Sequence, residues 1–250
     1  METPETRTFD LAALAEHLAA ARRDIETLAP SRDVKLLAVT KTVPVDVINH
    51  AIDHLGVTAI GENRVQELLE KYDALHTPPG RDKLEIHLIG SLQKNKVKYI
   101  IDKVDMIESV DSISLAAEID RQAAKHDTKM DILVEVNIGR EPQKGGVMPE
   151  DVPAFFDELR QFDRVNPRGI MTIAPKCEEK ADYLKFFEET FKIYLDISKK
   201  NIHNIYGTNF DTLSMGMSGS YREALQCGST EIRLGSTLFG ARQTTPAAMQ

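Results

Sequence analysis

Eight short apolar runs, separated by stretches of helical periodicity, constrain this chain more than any other feature. They are KLLAVTK (35–41), VTAIGE (57–62), EIHLIG (85–90), DMIESV (105–110), DILVEVN (131–137), RGIMTIAP (168–175), TLSMGM (212–217) and EIRLGSTLFG (231–240). Helical spacing occupies 44–55, 63–74, 93–103, 112–126, 149–163, 178–199 and 218–226. Strands that are apolar throughout, alternating with helices, predict a parallel sheet covered on its outer face. Eight such units in about 210 residues match a closed (β/α)8 TIM barrel better than an open doubly wound sheet. One further amphipathic helix, 8–28, precedes them, with Leu11, Leu14, Leu18, Ile25 and Leu28 near helical spacing. The reading is a single domain over 8–242, followed by a polar tail, 243–250.

Charge narrows the function classes. Lys and Arg number 31 and Asp and Glu 39, a formal net charge of −8. Such a chain is a poor general binder of nucleic acid or anionic membrane. Lys94, Lys96 and Lys98 in QKNKVKY are the best basic feature, and they read as a solvated face. No apolar run has the length of a membrane span, and the first residues lack the apolar core of a signal peptide. Two cysteines, Cys177 and Cys227, read as reduced thiols. Together these predict a soluble cytoplasmic protein.

In a barrel of this kind the chemistry collects at the C-terminal strand ends and the loops after them. Two features stand out there. Gly and Ser gather after strands seven and eight, in MGMSGS, CGST and RLGS. Glycine admits close backbone approach, and backbone N–H groups at a helix start favour an anion, so these loops predict a phosphate pocket. Opposite them, Lys41 closes an otherwise apolar strand. Partial burial makes an amine more nucleophilic toward aldehydes. A Schiff base to a phosphorylated aldehyde joins the two features.

AVTKT (38–42), GENRVQE (61–67), HLIGSLQKNK (87–96), VNIGREPQKGG (136–146), GIMTIAP (169–175), LSMGMS (213–218) and GSTEIRLGSTLFG (228–240) carry a family resemblance in their order and spacing. The chain resembles the pyridoxal phosphate homeostasis proteins, relatives of the alanine racemase N-terminal barrel. The resemblance implies a barrel of that type binding pyridoxal 5′-phosphate (PLP). It implies that Lys41 carries the cofactor as a Schiff base. Ser218, Gly235 and Ser236 then contact the phosphate, Arg233 faces the pyridine nitrogen, and Asn63, His87 and Met215 line the pocket. Many relatives have Asp where this chain has Ser220, which removes a little favourable helix-end charge.

The implied role is intracellular PLP (vitamin B6) homeostasis, with apo PLP-dependent enzymes as recipients. An arginine at the pyridine nitrogen disfavours its protonation and weakens the electron sink. The related racemases use a second base, a tyrosine from an added domain, which this sequence does not display after strand eight. The expectation is therefore a monomeric carrier without robust turnover, with a weak PLP-dependent amino-acid racemase as the alternative. A sugar-phosphate barrel without PLP is a further rival. Among the tyrosines only Tyr206, before strand seven, is placed to be considered as a base. No metal site is expected: His50 and His54 stand four apart without a third ligand.

Overall fold

The computed structural model describes residues 8–199 and 209–241. The tail 243–250, Tyr206 and most of the connection 201–211 lie outside the described residues.

Every apolar run contributes a strand. These are β1 (Lys35–Val39), β2 (Ala59–Glu62), β3 (Glu85–Leu88), β4 (Met106–Val110), β5 (Met130–Val136), β6 (Val165–Thr172), β7 (Thr212–Met217) and β8 (Glu231–Leu234). All neighbours pair in parallel, and β8 pairs back onto β1, closing the barrel in sequence order. The (β/α)8 architecture read from the sequence is the one observed.

The described helices are α1 (Leu11–Leu28), α2 (Val45–Leu55), α3 (Val65–Lys71), α4 (Ile113–Lys125), α5 (Val152–Leu159), α6 (Lys180–Ser198), α7 (Tyr221–Gln226) and α8 (Ser236–Phe239). Their apolar faces pack on the outer side of the strands, building the main core between barrel and helices. Asp10 caps α1 by accepting from the N–H groups of Ala12 and Ala13. Helix α1 then crosses the seam between the last and first units. Its His17 ring donates to the Leu238 carbonyl at 3.2 Å, Arg22 donates to Gly56 O at 2.8 Å, and Asp24 accepts from Tyr221 and Arg222.

Two expectations change in detail. Residues 93–103 form only a 3-10 helix, Lys94–Tyr99, whose bonds run from Lys96 N to Gln93 O and from Ile100 N to Val97 O. Apolar anchors at Val97, Ile100 and Ile101 are too few to hold a longer helix against three lysines packed into five residues. The run 231–240 is not one strand. It leaves the sheet at Gly235 and turns into α8.

Inside the barrel the packing differs from the outer core. Leu37, Val39, Ala59 and Ile89 form one small apolar cluster, and Met106, Leu133 and Met171 another. The rest of the lumen is polar. Among the described residues no helix is long and apolar enough to cross a membrane.

Candidate functional site

The C-terminal strand ends surround a cleft of about 510 Å³, a size usual for small-ligand sites. From β1 and the turn after it come Val39 and the half-buried Lys41, and from the loops after β2 and β3 come Asn63 and Ile89. The end of β7 supplies Met217, Ser218 and Gly219, and β8 with its turn supplies Arg233, Gly235 and Ser236.

Lys41 sits in a fixed frame. Thr40 N donates to Gly61 O and Val43 N to Thr40 O, making a tight turn around it. Thr42 takes φ 62°, a region that favours glycine, so this turn is strained. Lys71 of α3 supports the turn from behind. Its ammonium donates to Thr40 O at 2.9 Å, Glu62 Oε1 at 2.8 Å and Glu67 Oε1 at 2.6 Å. Thr40 Oγ1 donates to the same Glu62 oxygen at 2.7 Å, and Thr42 N donates to Glu67. Burial pushes the Glu62 carboxyl above its usual range, against the pull of Lys71 and Thr40. The backbone at Asn63 is approached closely by Gly90, where a Cβ would lie 2.3 Å from Asn63 O.

Across the cleft, two backbone N–H groups converge on one oxygen. Gly235 N and Thr237 N donate to Ser218 Oγ at 3.3 and 3.0 Å. The serine hydroxyl satisfies these donors here, and N–H groups at such a turn also suit an anion that takes its place. On the facing wall, Asn63 Oδ1 is buried with no hydrogen-bond partner among the described residues, so a ligand donor there would satisfy it. The residues present thus fit a ligand with an anionic end and a polar ring.

Arg233 reaches the cleft from below. Its Nη1 donates to Ser214 Oγ at 2.5 Å and its Nη2 to Thr172 O at 2.8 Å. Ser214 in turn donates to Glu108 Oε2 at 2.7 Å. His87 lies deeper in the lumen, fully buried. Its Nδ1 contacts Glu108 Oε1 at 2.7 Å and its Nε2 contacts Glu85 Oε1 at 2.9 Å. Both ring nitrogens face carboxylates, which is the arrangement of an imidazolium. Burial works against that charge, but Glu231, Glu108 and Glu85 outweigh it and raise the ring's pKa to about 10. Burial would raise the Glu108 carboxyl too, and His87 holds it down instead. Burial and the Glu108 charge push Glu231 up.

Of the eight residues marked in the sequence, Lys41, Asn63, Ser218, Arg233, Gly235 and Ser236 line one cleft. His87 and Met215 are not among its lining residues. Strand β7 carries a bulge. Ser214 pairs with Glu231 and Met217 with Arg233, three residues on β7 against two on β8, with Gly216 at φ 94°. A one-residue shift reverses which side chains face inward. Met215, next to the lumen-facing Ser214, packs in the outer core, and the bulge after it turns Met217 into the cleft. The Gly between two methionines was the available signal for Met217. The Lys71–Glu62–Glu67 support gave no signal, because its members carry the pattern of ordinary helix and strand-end charges. Nor did the sequence suggest that His87, Glu108 and Glu231 come within 4.8 Å of one another.

Fold and cleft together define a barrel of the alanine racemase N-terminal type, and the sequence model of the alanine racemase N-terminal domain matches residues 9–243. Relatives refine this. The pyridoxal phosphate homeostasis protein of Aquifex aeolicus is 40% identical over 209 residues, 84% of this chain and 87% of its own. That of Pseudomonas aeruginosa is 33% identical over 237 residues, 93% and 97% of the two chains. The chain belongs to the pyridoxal phosphate homeostasis protein family. Among solved structures, PipY of Synechococcus elongatus with PLP bound aligns with a TM-score of 0.76 and 32% identity, covering 91% of this chain and all of that one.

Proposed function

We propose that this protein binds PLP as a Schiff base on Lys41 and serves intracellular PLP homeostasis, holding the cofactor and releasing it to apo PLP-dependent enzymes. The observation that carries this reading is the shared cleft: a framed lysine on one wall and N–H groups converging at Ser218 on the other. In this reading Ser218, Gly235 and Ser236 hold the phosphate, and Asn63 orients the ring. Arg233 faces the pyridine nitrogen and, being always charged, keeps it unprotonated. Bound PLP supplies an electron sink for carbanions, and it is weakest with that nitrogen unprotonated. Among the described residues no tyrosine lines the cleft to act as a second base. In this reading it is the lack of a second base beside a weak electron sink that supports a carrier over a racemase. The carrier acts as a monomer in the cytoplasm and has no nucleic-acid partner.

The test is the absorbance of wild type and Lys41→Ala before and after adding PLP, followed by borohydride reduction and peptide mapping. The yellow Schiff-base band and a pyridoxyl group on Lys41 are expected in wild type alone. A band that persists in the variant, or wild type that stays colourless, overturns the assignment. Lys41-dependent exchange of an amino acid's α-hydrogen in deuterated water would overturn the carrier role in favour of a racemase.

A further inference from the structure

We propose that Glu108 and Ser214 are positioning residues for Arg233: they fix its guanidinium in the floor of the cleft and so set how it meets the cofactor ring. The part concerning the ring rests on the reading that Arg233 faces PLP. The positioning itself does not.

A hydroxyl has a single proton to give. Ser214 gives it to Glu108 Oε2 at 2.7 Å, so toward Arg233 it can only accept, and Arg233 Nη1 donates to it at 2.5 Å. The direction of every proton in this segment is thereby determined. Thr172 O of β6, two strands away from β8, accepts from Arg233 Nη2 at 2.8 Å. Two of the five guanidinium donors are thus spent on the barrel wall, at an angle set by the backbones of β6 and β7. Glu108 itself stands 3.8 Å from Arg233 Nη1. Its charge reaches the arginine through the Ser214 hydroxyl, in a lumen where Glu108 and Ser214 are fully buried.

Glu108 is anchored in turn. His87 donates to its other oxygen, and the same ring donates to Glu85, which also accepts from Lys35. One hydrogen-bonded line therefore runs the length of the lumen, from Lys35 and Glu85 at the strand starts to Arg233 at the cleft. Among the described residues, Glu231 of β8 also faces it, 3.6 Å from His87 and 3.9 Å from Lys35, as does Glu135 of β5, which burial and Asp111 raise to about 7. Neither Glu108 nor Ser214 lines the cleft. Their effect on a ligand passes through Arg233.

The test has two arms, using Ser214→Ala, Glu108→Gln and, as the variant that restores the hydroxyl, Ser214→Thr. In the PLP-free protein, NMR of the arginine side chains reports rotation of the Arg233 guanidinium, assigned with Arg233→Lys. Slow rotation with separate Nη signals is expected in wild type, and averaged signals in Ser214→Ala and Glu108→Gln. Fast averaging already in wild type overturns the proposal whether or not PLP binds. In the second arm, PLP labelled with 15N in the ring is titrated. Losing a charged hydrogen bond at one remove should weaken PLP binding about fivefold, and move the ring-nitrogen signal toward the protonated position. Ser214→Thr should return both toward wild type. Unchanged affinity and ring shift in Ser214→Ala and Glu108→Gln overturn the proposal. Wild type that fails to load PLP counts against the PLP reading alone, and the first arm still decides the positioning. If Ser214→Ala does not fold, Glu108→Gln and Ser214→Thr carry both arms.

Discussion

Replacing Lys71 with Met isolates the support behind Lys41. The lysine side chain is 11% exposed and Glu62 is fully buried, so solvent can do little to screen their loss. In the variant, Glu62 keeps only the Thr40 hydroxyl as donor, its Oε2 already being without a partner. The Thr40 carbonyl loses its ammonium donor as well. Removing one partner of a buried pair costs about 3–5 kcal/mol, because the other charge is stranded. Glu67 is part-exposed and regains water, so about 3 kcal/mol is expected. Urea unfolding of Lys71→Met and of Lys71→Met with Glu62→Gln measures it. The double variant should recover about 1–2 kcal/mol, since a neutral amide avoids the stranded charge. The pH response has a fixed sign. Burial already raises Glu62, and losing Lys71 raises it further, so the folded state takes up the proton more readily than the unfolded chain. The single variant should therefore gain stability relative to wild type as pH falls from neutral toward the unfolded carboxyl range. A loss under about 1 kcal/mol, or no recovery in the double variant, would refute the reasoning from stranded charge.

Gly216→Ala should cost about 2–4 kcal/mol in urea unfolding, because φ is 94° and the new Cβ would lie 2.5 Å from Ala224 Cβ and 2.9 Å from Tyr221 Cα. PLP affinity should fall with it, since the bulge at Gly216 sets Met217 and Ser218 into the cleft; unchanged stability would mean that the bulge is soft. For His87 the folded pKa is raised from 6.5 to about 10. Its contribution is fully present below pH 6.5 and is lost as pH rises toward 10. The stability advantage of wild type over His87→Gln should shrink across that window, and a difference independent of pH would exclude a buried imidazolium.

The barrel was legible because its evidence is local: each strand is a short apolar run, and periodicity marks what lies between. Lys41, Ser218, Arg233, Gly235 and Ser236 were legible for a related reason, since strand ends are where a barrel exposes its chemistry. Met215 shows the limit. The resemblance alone placed it in the pocket, whereas alternation from the lumen-facing Ser214 turns it outward, and the bulge at Gly216 brings Met217 to the cleft instead. His87 shows another. The resemblance placed it in the pocket wall, but depth along the barrel axis depends on how the strands stagger, and that stagger sets it among carboxylates below the cleft. Lys71 was invisible because its partners come from β1, β2 and its own helix, and only packing brings them together.

Helix α1 has a consequence for how the molecule is made. Its partners Tyr221, Arg222 and Leu238 stand about two hundred positions later in the chain, as do the strand β8 contacts that complete β1. Contacts so distant in sequence close a very long loop and form late. During synthesis the first half-barrel must wait, with its strand edges open, until the final strand emerges. The cleft draws its two walls from opposite ends of that span. Assembly of the fold and assembly of the binding site are therefore one event, and a nascent chain offers no partial version of the site.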